Sequence, residues 1–586
     1  MRAKHRVSLA LTTLFLLLPV AAEAQQNQTI VVEGSLNRKS DWWVAESDHV
    51  IVYSNGPRGD LTRITHNLER LHFLLSILLN RVDAPDETLK LRVTLVGDTA
   101  EFDAMDLRNT RSAQGPFAGP FQFQRYYDPR EDGAVMAASR SDAVAEIERT
   151  QKVDIASLGV LQMNPQTGQL ENSLFGSDNQ TLSTTTGGDT VPISAEGRLY
   201  AGFAQHYLLT YFPAAYPRWY LDGFGELFST IRIRQDGALE YGHMPEGYRH
   251  VIDVYGNVPV RDVLDGKYLE VAKRSRWTPY HAWILVHYLF FSDTRRAELS
   301  RYLWDIAHGA SPAAAAQAFG DPAKLQAEVT AYDNRGLPYD RLSYPAERAA
   351  EPVLTQLSES QARFLKGRIE MGSRVEIPPL PAPGTDPKVA ERMTALHDKS
   401  IEARDRWLAG LRDTVRRVYN NLDGQLLLTE AECRTGHYAE CIAAADKALA
   451  LRNDSAPALA WKGLAMAELA VAGPEAERPA KLRAARALIA RANRADTEAV
   501  IPLIAYFRSF ADAGEEPNQA ANAGMLKAVD SVPAAPATRL TLGAELAREE
   551  RGDAARKVLL PVAGAGYDSP EKPAAQAILE KLPPAK

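Results

Sequence analysis

Leu199-Tyr200-Ala201-Gly202-Phe203-Ala204-Gln205-His206 and the later stretch Trp219-Tyr220-Leu221-Asp222-Gly223-Phe224-Gly225-Glu226 decide how this chain is read. In the first, Leu199, Phe203, Tyr207 and Leu208 recur at helical spacing, and Pro213 ends the run. In the second, Trp219, Leu221, Phe224, Leu227 and Phe228 predict another helix, with Asp222 and Glu226 four residues apart on one face. A third segment, Tyr280 to Phe291, is apolar nearly all round and so is expected to be buried. Residues 195–345 therefore read as one helical unit.

Upstream, residues 25–145 read as mixed α and β. His49 to Ser54 is a short β-rich run stopped by Asn55-Gly56-Pro57. A helix is expected from Asp60 through Ile64, Leu68, Leu71, Leu75 and Leu78. Leu91, Val93 and Leu95 alternate as a strand, and Ala134 to Ala137 predicts another. The aromatic Phe117 to Tyr127 segment reads either as a Gly/Pro-punctuated edge of the core or as the lining of a peptide groove. Residues 146–194 are polar and aperiodic, as a loop or insertion would be. The fold class expected is α+β up to this point.

Downstream, residues 346–387 read as a connecting segment that includes the stiff run Ile377-Pro378-Pro379-Leu380-Pro381-Ala382-Pro383-Gly384. Beyond it, residues 388–586 are alanine-rich and read as all-α repeats. Gly436, Gly473, Gly514 and Gly552 each separate two helical stretches. The best copy, from Leu426 to Ala460, has Gly436 and Tyr438 at its turn, then Ala444, Ala448 and Leu449, with Pro457 opening the next helix. This resembles a tetratricopeptide repeat, which implies a surface for a protein or peptide partner. Cys433 and Cys441 flank the turn, close enough for a disulfide or for two buried small apolar side chains.

At the other end, Arg2, Lys4 and Arg6 precede an apolar run from Val7 to Val20, and Ala22-Glu23-Ala24 reads as a cleavage site before Gln25. Residues 1–24 are thus expected to be an export signal, and the product periplasmic or secreted without a membrane anchor. The formal charge of −7, from 67 basic and 74 acidic residues, gives no basic footprint for nucleic acid. Two cysteines exclude a four-cysteine zinc site.

The helix pair at 195–230 resembles the core of the gluzincin zinc metallopeptidases, in which H-E-x-x-H on one helix is followed by W-L-x-E-G-x-A on the next. The resemblance implies that two histidines and the second-helix glutamate bind zinc while the motif glutamate activates water. In this chain Ala201 and Gln205 stand at the histidine positions, Gly202 at the catalytic glutamate and Asp222 at the third ligand. No zinc or other cofactor is therefore expected, and no catalytic residue; Asp222 and Glu226 remain as a weak acid pair. His206 is turned about 100° off the site face, and His281 and His287 are too far apart around their helix to share a metal. No G-x-S-x-G elbow or phosphate loop is present. The expectation is an exported non-catalytic pseudo-peptidase with repeats that binds a peptide or protein. The alternative is an active hydrolase, zinc-dependent or using another site.

Overall fold

The computed structural model describes residues 38–82, 89–107, 125–154, 162–163, 170–171, 181–267, 278–567 and 569–583, with the backbone alone over 145–189. The expected export signal and Phe117 to Gln124 lie outside the described residues.

The first strands and helices are β1 (Lys39–Glu46), β2 (Val50–Ser54), α1 (Arg58–Leu78), β3 (Leu91–Val96), α2 (Thr99–Ala104), β4 (Arg125–Arg130) and β5 (Gly133–Ser139). A polar ribbon follows, β6 (Ala143–Asp154) paired antiparallel with β7 (Thr181–Ile193). The ends of the segment read as a loop are thus strands. Its Ser/Thr content concealed them because a two-stranded ribbon needs no apolar face to satisfy its backbone groups. The helical unit comprises α3 (Ala195–Tyr211), α4 (Arg218–Ser229), α5 (Tyr248–Tyr255), α6 (Val260–Leu264), α7 (Thr278–Phe291), α8 (Arg295–Ala307) and α9 (Pro322–Asp333).

The segment read as a connector does more than connect. Its strand β8 (Val353–Ser358) returns to the main sheet, and α10 (Glu359–Val375) packs across that sheet, opened by a capping box between Ser358 and Gln361. The six strands lie in the order β8-β1-β2-β3-β5-β4. β2, β3 and β5 are parallel, with Val52 level with Val93 and Val93 level with Met136. Alternation then sorts the faces. Val50, Val52, Leu91, Val93, Leu95 and Met136 join the core beneath α1 and α3. Val96, Ala137 and Tyr126 point the other way, against Phe102 of α2 and Ile369 of α10.

After the proline run comes α11 (Pro387–Arg417), then a series of helices from Leu422–Arg434 to Glu571–Lys581. The C-terminal region is helical, as the alanine-rich pattern implied. Gly436 and Gly514 sit in turns with φ of 79° and 70°, where a side chain would be strained. Cys433 and Cys441 are joined as a disulfide, with Cα atoms 5.2 Å apart. No helix among the described residues is long and apolar enough to cross a membrane.

The helical region is not a separate body hung on a linker. At its start, Arg434 pairs with Glu131 in the β4–β5 turn at 3.0 Å, and Gly424 lies against the Phe364 ring of α10. At its end, the loop after Gly552–Ala563 carries Ala565 and Tyr567 into the core of the α3–α4 unit. A Cβ on Gly566 would lie 2.5 Å from the Arg218 backbone nitrogen, so the approach requires glycine.

Candidate functional site

Ser194 caps α3 by accepting a hydrogen bond from the Gly197 N–H, and nearly every α3 side chain is buried. Three glycines let the neighbouring helices close in. A Cβ on Gly197 would meet the Ser229 carbonyl at 2.8 Å, one on Gly225 the Gln205 amide at 2.9 Å, and one on Gly223 the Ala282 carbonyl at 2.7 Å. Gly223 and Gly225 therefore hold α4 against α7 and α3, whatever chemistry the site retains.

Gly202 has a different neighbour. The Arg125 side chain enters from the first residue of β4 and lies over it, so that a Cβ at 202 would stand 2.8 Å from Cδ and 2.9 Å from Nη1. Arg125 Nη1 donates to the Arg198 carbonyl and Nη2 to Gln205 Oε1, each at 2.9 Å. Gln205 Nε2 in turn donates to the Leu221 carbonyl at 3.0 Å. One amide thus ties the β4 arginine to the α4 backbone. Burial draws the Arg125 pKa down to about 10, opposed by the Asp222 and Glu226 charges, so it remains a cation at neutral pH.

The two carboxyl groups are not a pair. Asp222 accepts from Arg218 Nε with both oxygens at 2.8 Å, one helical turn apart. Glu226 turns elsewhere: its Oε1 accepts from Ser229 Oγ at 2.8 Å, and its side chain lines a cavity of about 250 Å³. Burial pushes its pKa up to about 8; the Ser229 hydrogen bond and the Arg125 charge oppose that rise, and the Asp222 charge adds to it.

The cavity lies between the first turn of α3 and the last turn of α4, closed by Met244 to Glu246 and by Tyr280 of α7. It continues past Ser194 and Glu196 to a second space of about 470 Å³ at the carboxyl ends of β2, β3 and β5. There α1 leaves β2 on one face of the sheet and α2 leaves β3 on the other, a crevice typical of ligand sites in such sheets.

The histidines serve packing. His206 Nδ1 meets Tyr127 Oη at 2.9 Å and Thr210 Oγ1 at 3.2 Å, and burial takes its pKa down to about 3. His287 bridges Tyr332 Oη and the Gly242 carbonyl, with its pKa lowered to about 4 by burial. His281 is buried on the same helix as His287.

Zinc does not fit this donor set. Ala201 and Gly202 offer no donor atom, the Gln205 amide is held by Arg125 and Leu221, and both Asp222 oxygens accept from Arg218. The Arg125 guanidinium lies over α3, where a dication would be repelled. Among the described residues no three His, Cys, Asp or Glu side chains are grouped to hold a metal. Sequence reasoning missed Arg125 and Arg198, since no local spacing links a strand arginine to a helix 80 residues on.

No family model, curated protein or solved structure matches the chain.

Proposed function

We propose that this chain is an exported, non-catalytic pseudo-peptidase: a metallopeptidase-like domain with tetratricopeptide-like repeats that binds a peptide or protein. The observation that carries the reading is Arg125. Its guanidinium lies against the bare Cα of Gly202 and is hydrogen-bonded to Gln205, the positions at which the gluzincin resemblance calls for a catalytic glutamate and a zinc ligand. A protein-supplied cation there supports the α3–α4 crossing as a metal would, without an exchangeable water to activate.

The groove around the first turn of α3 is the better place for the ligand. In the repeat region Arg434 is already paired with the chain's own Glu131, and Tyr567 with the domain core. The Cys433–Cys441 disulfide suits an oxidising compartment outside the cytoplasm. The test is zinc content of the mature protein purified without chelators, with hydrolysis of a fluorogenic peptide library measured with and without added zinc. The expected result is far less than one equivalent of zinc and no metal-dependent cleavage. Near-equimolar zinc with chelator-sensitive cleavage would overturn the reading in favour of a hydrolase.

A further inference from the structure

The geometry points to the cavity between α3 and α4 as a carboxylate-binding site, in which Arg198, Arg232 and Glu226 together take one ligand carboxylate. Arg198 is 2% exposed, and its guanidinium donates to the Ser141 and Ile193 carbonyls, leaving Nε–H without a partner. Arg232 stands at the rim with no ion-pair partner among the described residues. Glu226 is 3% exposed; Ser229 occupies Oε1, and Oε2 has no hydrogen-bond partner among the described residues. An unpaired N–H on a side chain this deeply buried is costly unless something binds it, and Arg198 and Glu226 line the same cavity.

The ligand must supply acceptors for the two arginines, which an ammonium group cannot do. A carboxylate can, provided Glu226 meets it as the neutral acid and donates from Oε2. The groups facing Glu226 are Arg125 from β4, Asp222 and Ser229 from its own helix, and Tyr280 from α7. Arg198 and Glu246 line the same space. Arg125 favours ionisation and Asp222 opposes it, while burial is the largest influence and raises the pKa to about 8, above neutral pH. A carboxylic acid held neutral by an apolar site can donate to an anion in this way.

The inference shares its groove with the peptide-binding reading but does not depend on the absence of catalysis. Metal-dependent cleavage would overturn that reading and leave this one standing. The carboxylate can come from a small organic acid or from a peptide C-terminus. Titration calorimetry of the mature full chain would use butyrate and N-acetyl-trialanine with a free or an amidated C-terminus, at pH 6.5 and at pH 9, where Glu226 has ionised and Arg198, with its pKa lowered by burial to about 10, is still mostly charged. The expected result is one-site binding of free carboxylate at pH 6.5, weakened about tenfold at pH 9, and none of the amide. Binding of butyrate as well as the peptide assigns a small acid; binding of the free-acid peptide alone assigns a chain terminus. Glu226→Gln, which keeps a donor, should bind equally at both pH values, and Arg232→Gln should weaken both. No binding of any free carboxylate at pH 6.5 would overturn the proposal. So would equal binding of acid and amide, or a Glu226→Gln profile that still falls with pH.

Discussion

The Arg125 guanidinium rests on Gly202, closer than a Cβ at that position would allow, and Arg125 Nη2 donates to Gln205 one turn further along the same helix face. Glycine in a helix interior costs roughly 1 kcal/mol relative to alanine, so its presence suggests weak local order if helix propensity alone is considered. The contact gives another reason for it: only a residue without a side chain admits a buried cation here. Gly202→Ala should therefore lower the melting temperature by several degrees, where propensity alone predicts a rise. Thermal unfolding followed by circular dichroism decides between them.

Building a zinc site on α3 and α4 requires more than placing ligand side chains at four positions. Ala201→His, Gly202→Glu, Gln205→His and Asp222→Glu together would drive a glutamate into Arg125, remove its Gln205 acceptor and disturb the Arg218 pair. That protein should be destabilised and take up little zinc. Adding Arg125→Ala should recover stability in the presence of zinc, and metal analysis alongside the melt reads both.

Glu226 makes stability fall as pH rises. Its folded pKa of about 8 lies above the ordinary 4.5, so between those values the folded state holds a proton that the unfolded state has released. The stabilising difference is complete below pH 4.5 and lost by about pH 8. Glu226→Gln should flatten this limb and leave the variant more stable than the parent at pH 9 by roughly 2–4 kcal/mol. Urea unfolding across pH 5–9 gives the comparison; parallel profiles would count against the assignment.

His206 and His287 act in the opposite direction. Both are buried with folded pKa values, about 3 and about 4, below the ordinary 6.5. Their contribution is present above pH 6.5 and lost as the pH falls towards those values. Acid unfolding should begin below about pH 6, with a shallower limb in His206→Gln, which retains an acceptor for Tyr127.

Tyr567 ties the last helices to the domain core, so the full chain should melt in one calorimetric transition rather than two. Tyr567→Ala should cost about 3 kcal/mol. Residues 388–586 alone should stay helical but melt well below the intact protein, because Ala565 and Tyr567 would lose the surface that buries them.

The helices at 195–211, 218–229 and 278–291, the strands at 50–54, 91–96 and 133–139 and the helical C-terminus were legible because apolar residues recur with a helical or strand period along each segment, whereas the parallel pairing of those strands was not. That Ala201 and Gly202 carry no donor atom is likewise read from the sequence alone. The ribbon ends over 143–154 and 181–193 and the return strand Val353–Ser358 were not, because polar pairing partners far apart leave no period. The pairing of Asp222 with Arg218 lies within one helical turn and follows from i,i+4 geometry. The Arg125 contact with Gly202 and Gln205, the cavity that Glu226 and Arg198 both line, and the docking of Tyr567 were decided by tertiary structure alone. Each joins residues from elements distant in sequence, and burial, which sets their charge states, is a property of the packed assembly rather than of any segment.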